Sequence, residues 1–138
     1  MNSAPNPCAE PQPTSGTRFW AGCVLTSIAG LFLLFDGACK LFNPSFVVQA
    51  SQRLGLPVDL APGIGMLLLI CSLLYLIPRT AVLGAVMLSG YLGGAVAIHL
   101  RAGSTTFETV FPVIFALIAW SGVYLREPRL CALLPLRR

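Results

Sequence analysis

Five ionisable residues of this 138-residue chain stand inside strongly apolar sequence. Asp36 and Lys40 occur in "LLFDGACKLF", His99 and Arg101 in "VAIHLRAG", and Glu108 in "TTFETVF". An acid four residues ahead of a lysine is a helical ion pair in its favourable order. A histidine can exchange a proton near neutral pH. Charged groups within apolar spans are costly, so they are candidates for function by default. Asp36, Lys40, His99, Arg101 and Glu108 therefore form a candidate ligand-binding or proton-handling set. A plainer reading exists for each. Lys40 and Arg101 snorkel to the surface, Asp36 pairs with Lys40, and Glu108 caps a helix.

Other chemistries find little support. A general-base enzyme would use His99 with Asp36 orienting it, yet no nucleophile or haem-ligand pair accompanies them. A metal site is not expected, because there is one histidine and no CxxC among the five cysteines. Cys23 and Cys39 lie sixteen residues apart on one helix, about 24 Å, too far to bridge. Cys8 and Cys131, in the two tails, read as reduced thiols, and Cys71, mid-helix in the second span, as a small buried apolar residue.

The elements that would carry these residues are membrane spans. The chain is 56% hydrophobic and 10% charged, with a mean hydropathy of +0.80. A water-facing surface needs more charge than that. Four apolar blocks approach the roughly 20 residues that cross a bilayer, at about 19–41, 60–77, 81–100 and 107–125. Asp59 is the expected N-cap of the second span, Pro62 its first-turn proline, and Thr80 the expected cap of the third. Gly103 should end the third span, and Thr105 with Glu108 should form a capping box at the fourth. Pro112, inside the fourth, predicts a kink.

Between the first two spans, Phe46, Val47, Ala50 and Leu54 share one helical face, and Gln49, Gln52 and Arg53 the other. That predicts a short amphipathic helix, lying on the membrane or packed over the bundle mouth. Residues 1–17 read as a disordered tail rich in proline and polar side chains, and 127–138 as a basic tail. The fold class expected is all-α, a four-helix transmembrane bundle in one domain, 18–126. A cleaved signal peptide and a lipoprotein site at Cys23 are set aside, because the leader is neutral and the site precedes its apolar stretch.

Orientation follows from the basic residues near the span ends. Arg18, Arg79, Arg126, Arg129, Arg137 and Arg138 lie on one side, and Lys40, Arg53 and Arg101 on the other. The positive-inside rule puts both termini in the cytoplasm. Counting from Thr80 and from Arg18, His99 and Asp36 then reach a similar depth near the outer interface. Nucleic acid is not an expected partner, since arginines beside a membrane meet anionic lipid more simply.

The third span is rich in small residues. Ala81, Ala85, Ser89, Gly93 and Ala97 recur every four positions, and Gly90 with Gly94 adds a GxxxG. In lipid such residues let backbones approach closely. Ala85, Ser89, Gly90, Gly93, Gly94 and Ala97 are therefore expected to pack against other helices, within a monomer or in a homo-oligomer.

"GACKLFNP", "IPRTAVLGAVMLSGYLGGAVAIHLRAG" and "WSGVYLREPRLCALLPLR" together resemble the DoxX-like family of small bacterial membrane proteins. The resemblance runs from about residue 20 to the C-terminus, and it is most specific from Pro78 to Gly103. It implies a four-helix membrane bundle and motif positions at Gly37, Lys40, Pro78, Arg79, Gly90, Gly94, His99 and Arg101. It also implies, by analogy with the broader DoxX group, a link to thiosulfate:quinone oxidation and to membrane complexes of oxidative-stress defence. Quinone is the cofactor this analogy suggests. Such an analogy rests on fold and family, not on a site. The expected role is an accessory subunit of a membrane complex, recruiting a membrane or cytoplasmic protein partner through the arginine-rich tail. The alternative is a small carrier or channel with an outer-leaflet gate at Asp36 and His99.

Overall fold

Helix α1, Gly16–Phe42, begins with the interfacial aromatics Phe19 and Trp20 and runs through an almost uncharged stretch to Lys40 in its last turn. At 1.5 Å per residue its 27 residues reach about 40 Å, more than the hydrocarbon core requires. The coordinates are a computed structural model and describe residues 16–126. The two expected tails lie outside the described residues, except that Gly16 and Thr17 are helical.

Asn43, in the left-handed region at φ 48°, turns the chain into the short helix α2, Ser45–Arg53. Gly55 at φ 67° ends it, with Leu56 N–H bonded to Ser51 C=O and Gly55 N–H to Gln52 C=O. That reciprocal pair is a Schellman stop, which favours glycine at the left-handed position. A 3-10 turn, Val58–Leu60, leads into α3, Ala61–Leu76. Asp59 lies in that turn and makes no cap bond to α3, so the expected cap is absent; Pro62 stands in the first turn as anticipated. The tight connection at 77–80 leads into α4, Ala81–Arg101, and then α5, Thr106–Arg126.

Thr80 precedes α4, but its hydroxyl does not cap that helix. It donates backward to Leu74 C=O at 2.8 Å, closing the end of α3 instead. The other end of α4 follows expectation. Gly103 has φ 64°, Ser104 N–H bonds His99 C=O at 3.0 Å, and Gly103 N–H bonds Leu100 C=O. At the start of α5, Thr105 N–H donates to Glu108 Oε2 at 3.0 Å, and Glu108 N–H to Thr105 Oγ1 at 3.4 Å. The helix runs unbroken through buried Pro112.

Among the described residues four helices are long and apolar enough to cross a membrane: α1, the 3-10 turn with α3, α4 and α5. Their outward faces carry large apolar side chains, such as Ile28, Leu31, Phe35, Ile70, Leu83 and Leu117, so the bundle is clothed for lipid rather than water. The principal helix contacts are α1 with α3, α3 with α4, α4 with α5 and α5 with α1. This is a ring in which α1 faces α4 and α3 faces α5 across the middle. One half of the ring is filled. Ala29, Leu68, Cys71, Leu88, Ala119 and Val123 are essentially buried there, and Tyr75 donates across the core to Ala119 C=O at 3.1 Å.

Close backbone approach is the work of small residues elsewhere than the sequence suggested. A Cβ on Gly84 would fall 2.2 Å from Tyr75 N, one on Gly65 2.8 Å from Gly37 O, and one on Gly22 3.0 Å from Gly122 O. These three contacts join α4 to α3, α3 to α1, and α1 to α5. By contrast, a Cβ on Gly90, Gly93 or Gly94 would meet nothing within 4 Å. Of the six expected packing positions, Ala85 is buried and Ser89 half-buried, the latter accepting Trp120 Nε1–H at 2.8 Å and donating to Ala85 C=O. Gly90, Gly93, Gly94 and Ala97 are exposed within the chain. The reason is geometric. The core-facing stripe of α4 runs Ala81, Gly84, Ala85, Leu88 and Leu92, and these four lie beside it.

Candidate functional site: an interhelical cavity

Where the packed half ends, the ring opens into a cavity of about 680 Å³. Each helix contributes to it. α1 presents Asp36 and Lys40 near its C-terminal end, and α4 presents Tyr91 and, two turns later, His99. Phe111, Pro112 and Phe115 come from α5, and Ala61, Ile64 and Leu67 from α3. The short helix α2 spans the open end, lining it with Phe46, Val47, Ala50, Ser51 and Leu54. Of the two positions open to α2 from sequence, the bundle mouth is therefore the one it takes. Its buried residues are Val47 and Ser51, whereas Phe46 is 60% exposed, so the expected apolar face is shared between cavity and surroundings.

The polar groups concentrate toward the α2 end. Lys40 Nζ is hydrogen-bonded to Asp36 Oδ2, with side chains 26% and 38% exposed respectively. The pair forms because four residues bring both groups to one side of α1. His99 is half-buried, its Nδ1 lying 3.1 Å from Ser104 Oγ, a partner supplied by the stop after α4. Asp36 and His99 thus line one cavity but are joined to different partners, and among the described residues no hydrogen bond links them. The arrangement of a histidine oriented by a carboxylate is not formed.

The remaining two candidates stand apart from the cavity. Arg101 is exposed, with an Nη atom near the α2 stop: a Cβ on Gly55 would lie 3.8 Å from it. Glu108 is exposed and committed to the capping box, where Thr105 Oγ1 also donates to it at 3.0 Å. It lines a separate recess of about 250 Å³ with His99, Phe107, Phe111 and Pro112. The plainer reading therefore describes Glu108 and the Asp36–Lys40 pair, while the depth match between Asp36 and His99 is realised as a shared cavity. Among the described residues no three His, Cys, Asp or Glu side chains converge on a common point.

Sequence reasoning missed several participants. Tyr91 faces the same cavity as Asp36, and its position one residue after Gly90 was signal enough to place it beside the glycines. An aromatic wall was also unforeseen. Phe32 stacks on Phe115 with centroids 4.4 Å apart, and Phe111 lies 4.9 Å from Phe115. Such pairs favour offset and tilted arrangements and present both ring faces and edges to whatever lies beside them. Gly90 and Gly94 belong to this site too, as cavity lining rather than as helix contacts.

A model of the DoxX-like family matches residues 24–122, from the third turn of α1 almost to the end of α5. The chain belongs to the DoxX-like family. The match covers well over half of the sequence and includes every cavity-lining residue named above. With its four apolar spans, this DoxX-like chain is a multi-pass membrane protein whose helices lie in a lipid bilayer. No curated protein and no solved structure matches it.

Proposed function

We propose that this DoxX-like protein is the ligand-holding accessory subunit of a membrane complex, keeping one amphipathic molecule of the quinone class in its interhelical cavity. The observation that supports this most strongly is the cavity's construction. It has aliphatic and aromatic walls and a small set of polar groups, Asp36, Lys40, Ser51, Tyr91 and His99. Small-molecule sites have that character, at volumes of roughly 300–1,000 Å³. A quinone fits the donor set: Tyr91 and His99 can hydrogen-bond its carbonyl oxygens, and Phe32, Phe111 and Phe115 flank its ring and tail. When bound, a quinone supplies reversible electron and proton carriage. The chain itself supplies position, a dry wall and hydrogen bonds. Redox partnership belongs to a second protein, drawn to the arginines that follow Arg126 in sequence. With both termini cytoplasmic, as the basic residues favour, the cavity opens toward the outer leaflet of a bacterial inner membrane.

Asp36 and His99 sharing one cavity also favours a second reading, a small carrier gated at that mouth. A transport route needs polar or aqueous lining along its length. The packed half offers the hydroxyls of Thr26, Ser72 and Tyr75, and the last two are spent on carbonyls. That weighs toward holding rather than passage.

Purification in mild detergent, followed by solvent extraction and mass spectrometry, tests the proposal. An isoprenoid quinone near one per chain, together with a co-purifying membrane partner, is the expected result. Protein that carries phospholipid alone and binds no added quinone would remove it.

A further inference from the structure

We propose that Gly90 and Gly94 are the specificity-determining residues of the cavity, and that the ligand lies against α4 where these two glycines bare its backbone, near Tyr91 and His99. The inference rests on the cavity being a ligand site, and goes on to say what sets the size and place of its occupant. Both glycines line the cavity, and a Cβ on either would meet no atom within 4 Å. Nothing among the described residues therefore requires glycine there for packing. At Gly84, Gly65 and Gly22 the requirement is plain, since a Cβ would meet neighbouring atoms at 3.0 Å or less.

In a helix, glycine gives up more conformational freedom than alanine. Its effect here is to leave two positions one turn apart on α4 without side chains, beside Tyr91 and Leu92, in a cavity that Phe32 of α1 and Phe115 of α5 also line. A flat ring and a slender aliphatic tail fit such a lining. Within the lining itself the lysine is already matched, Lys40 being bonded to Asp36, and Arg53 and Arg101 stand outside that lining. That arrangement favours an uncharged head with oxygen acceptors over a carboxylate or phosphate, whose charge would find no unpaired lysine or arginine among the lining residues. The occupant is accordingly a neutral ring-bearing lipophile, and side chains at 90 and 94 would exclude it by volume.

Gly93 provides the control. It is exposed on the same helix, a Cβ there also meets nothing within 4 Å, but it does not line the cavity. Wild-type protein, Gly90→Leu, Gly94→Leu and Gly93→Leu would each be purified in detergent and checked for helicity and monodispersity. Each is then titrated with a short-tailed benzoquinone, read by quenching of tryptophan fluorescence, and with a fatty acid of similar length. The expected result is that wild type and Gly93→Leu bind the quinone alike, that both cavity variants lose about tenfold or more in affinity, and that the fatty acid binds weakly throughout. Undiminished quinone binding by folded Gly94→Leu and Gly90→Leu overturns the inference while leaving the ligand site standing. Equal loss in Gly93→Leu overturns it as well. Preference for the fatty acid overturns the assignment of a neutral head. Failure of wild type to bind any lipophile removes the ligand site, and this inference with it.

Discussion

Lys40 and Asp36 are each half-buried at the wall of an apolar cavity, so neither can be removed without leaving the other short of a partner. A pair wholly in water would matter little. Here the surviving charge faces aromatic and aliphatic groups, and leaving a polar group unsatisfied in such a place costs about 1–3 kcal/mol. Lys40→Met is therefore expected to lower the unfolding temperature in detergent. Lys40→Met combined with Asp36→Asn should recover much of that loss, because no unpaired carboxylate remains. Thermal unfolding of the two variants decides it, and equal destabilisation would mean that the pair is effectively solvated. His99 behaves differently. Its partner is Ser104, held in place by the left-handed Gly103, so Ser104→Ala should alter ligand affinity with little change in stability. A quinone titration alongside thermal unfolding checks both halves of that expectation.

The helices show which parts of the design are written locally and which depend on neighbours. Span lengths, the Gly103 stop and the Thr105–Glu108 box were all legible, because each depends on residues within one or two turns of itself. Thr80 and Asp59 were misread for the same reason inverted. Both have cap-forming side chains at the right offset, but the hairpin draws Thr80 toward Leu74, and a 3-10 turn places Asp59 one step too early. The glycines are the sharpest case. A run of small residues at four-residue spacing states that one face of α4 is bare, yet not which neighbour that face meets. Gly84, outside the stripe singled out, is the position where α4 touches backbone, with Tyr75 N 2.2 Å and Tyr75 Cα 2.4 Å from a built Cβ. Gly84→Ala should thus push α3 and α4 apart and cost about 1–3 kcal/mol or more, whereas Gly93→Ala should be neutral or slightly stabilising. Unfolding midpoints in the same detergent separate the two. Equal midpoints would show that α3 and α4 have room to adjust.

At the scale of the whole molecule, the division into a packed half and a hollow half makes orientation matter. Whatever the cavity holds is offered to the side of the membrane on which α2 lies. Asp36 and His99 could be matched in depth from sequence by counting along antiparallel spans, since a bundle of straight helices preserves that arithmetic. The hollow between them could not, because it depends on which way Gly90 and Gly94 turn once four helices close into a ring. The side proposed rests on charge: Arg18, Arg79 and Arg126 flank the packed half, whereas Lys40, Arg53 and Arg101 flank the mouth. Cytoplasmic loops are the ones enriched in Lys and Arg, and the sequence after Arg126 carries three more arginines. Single cysteines introduced into a chain freed of its five native ones give the measurement. Gln52→Cys, on the exposed face of α2, should react with a membrane-impermeant maleimide in intact cells, and Arg79→Cys, in the exposed α3–α4 turn, only after permeabilisation. The reverse pattern would turn the cavity toward the cytoplasm, where a ligand would meet a different set of partners, and the outer-leaflet assignment would have to be given up while the bundle and its cavity remained.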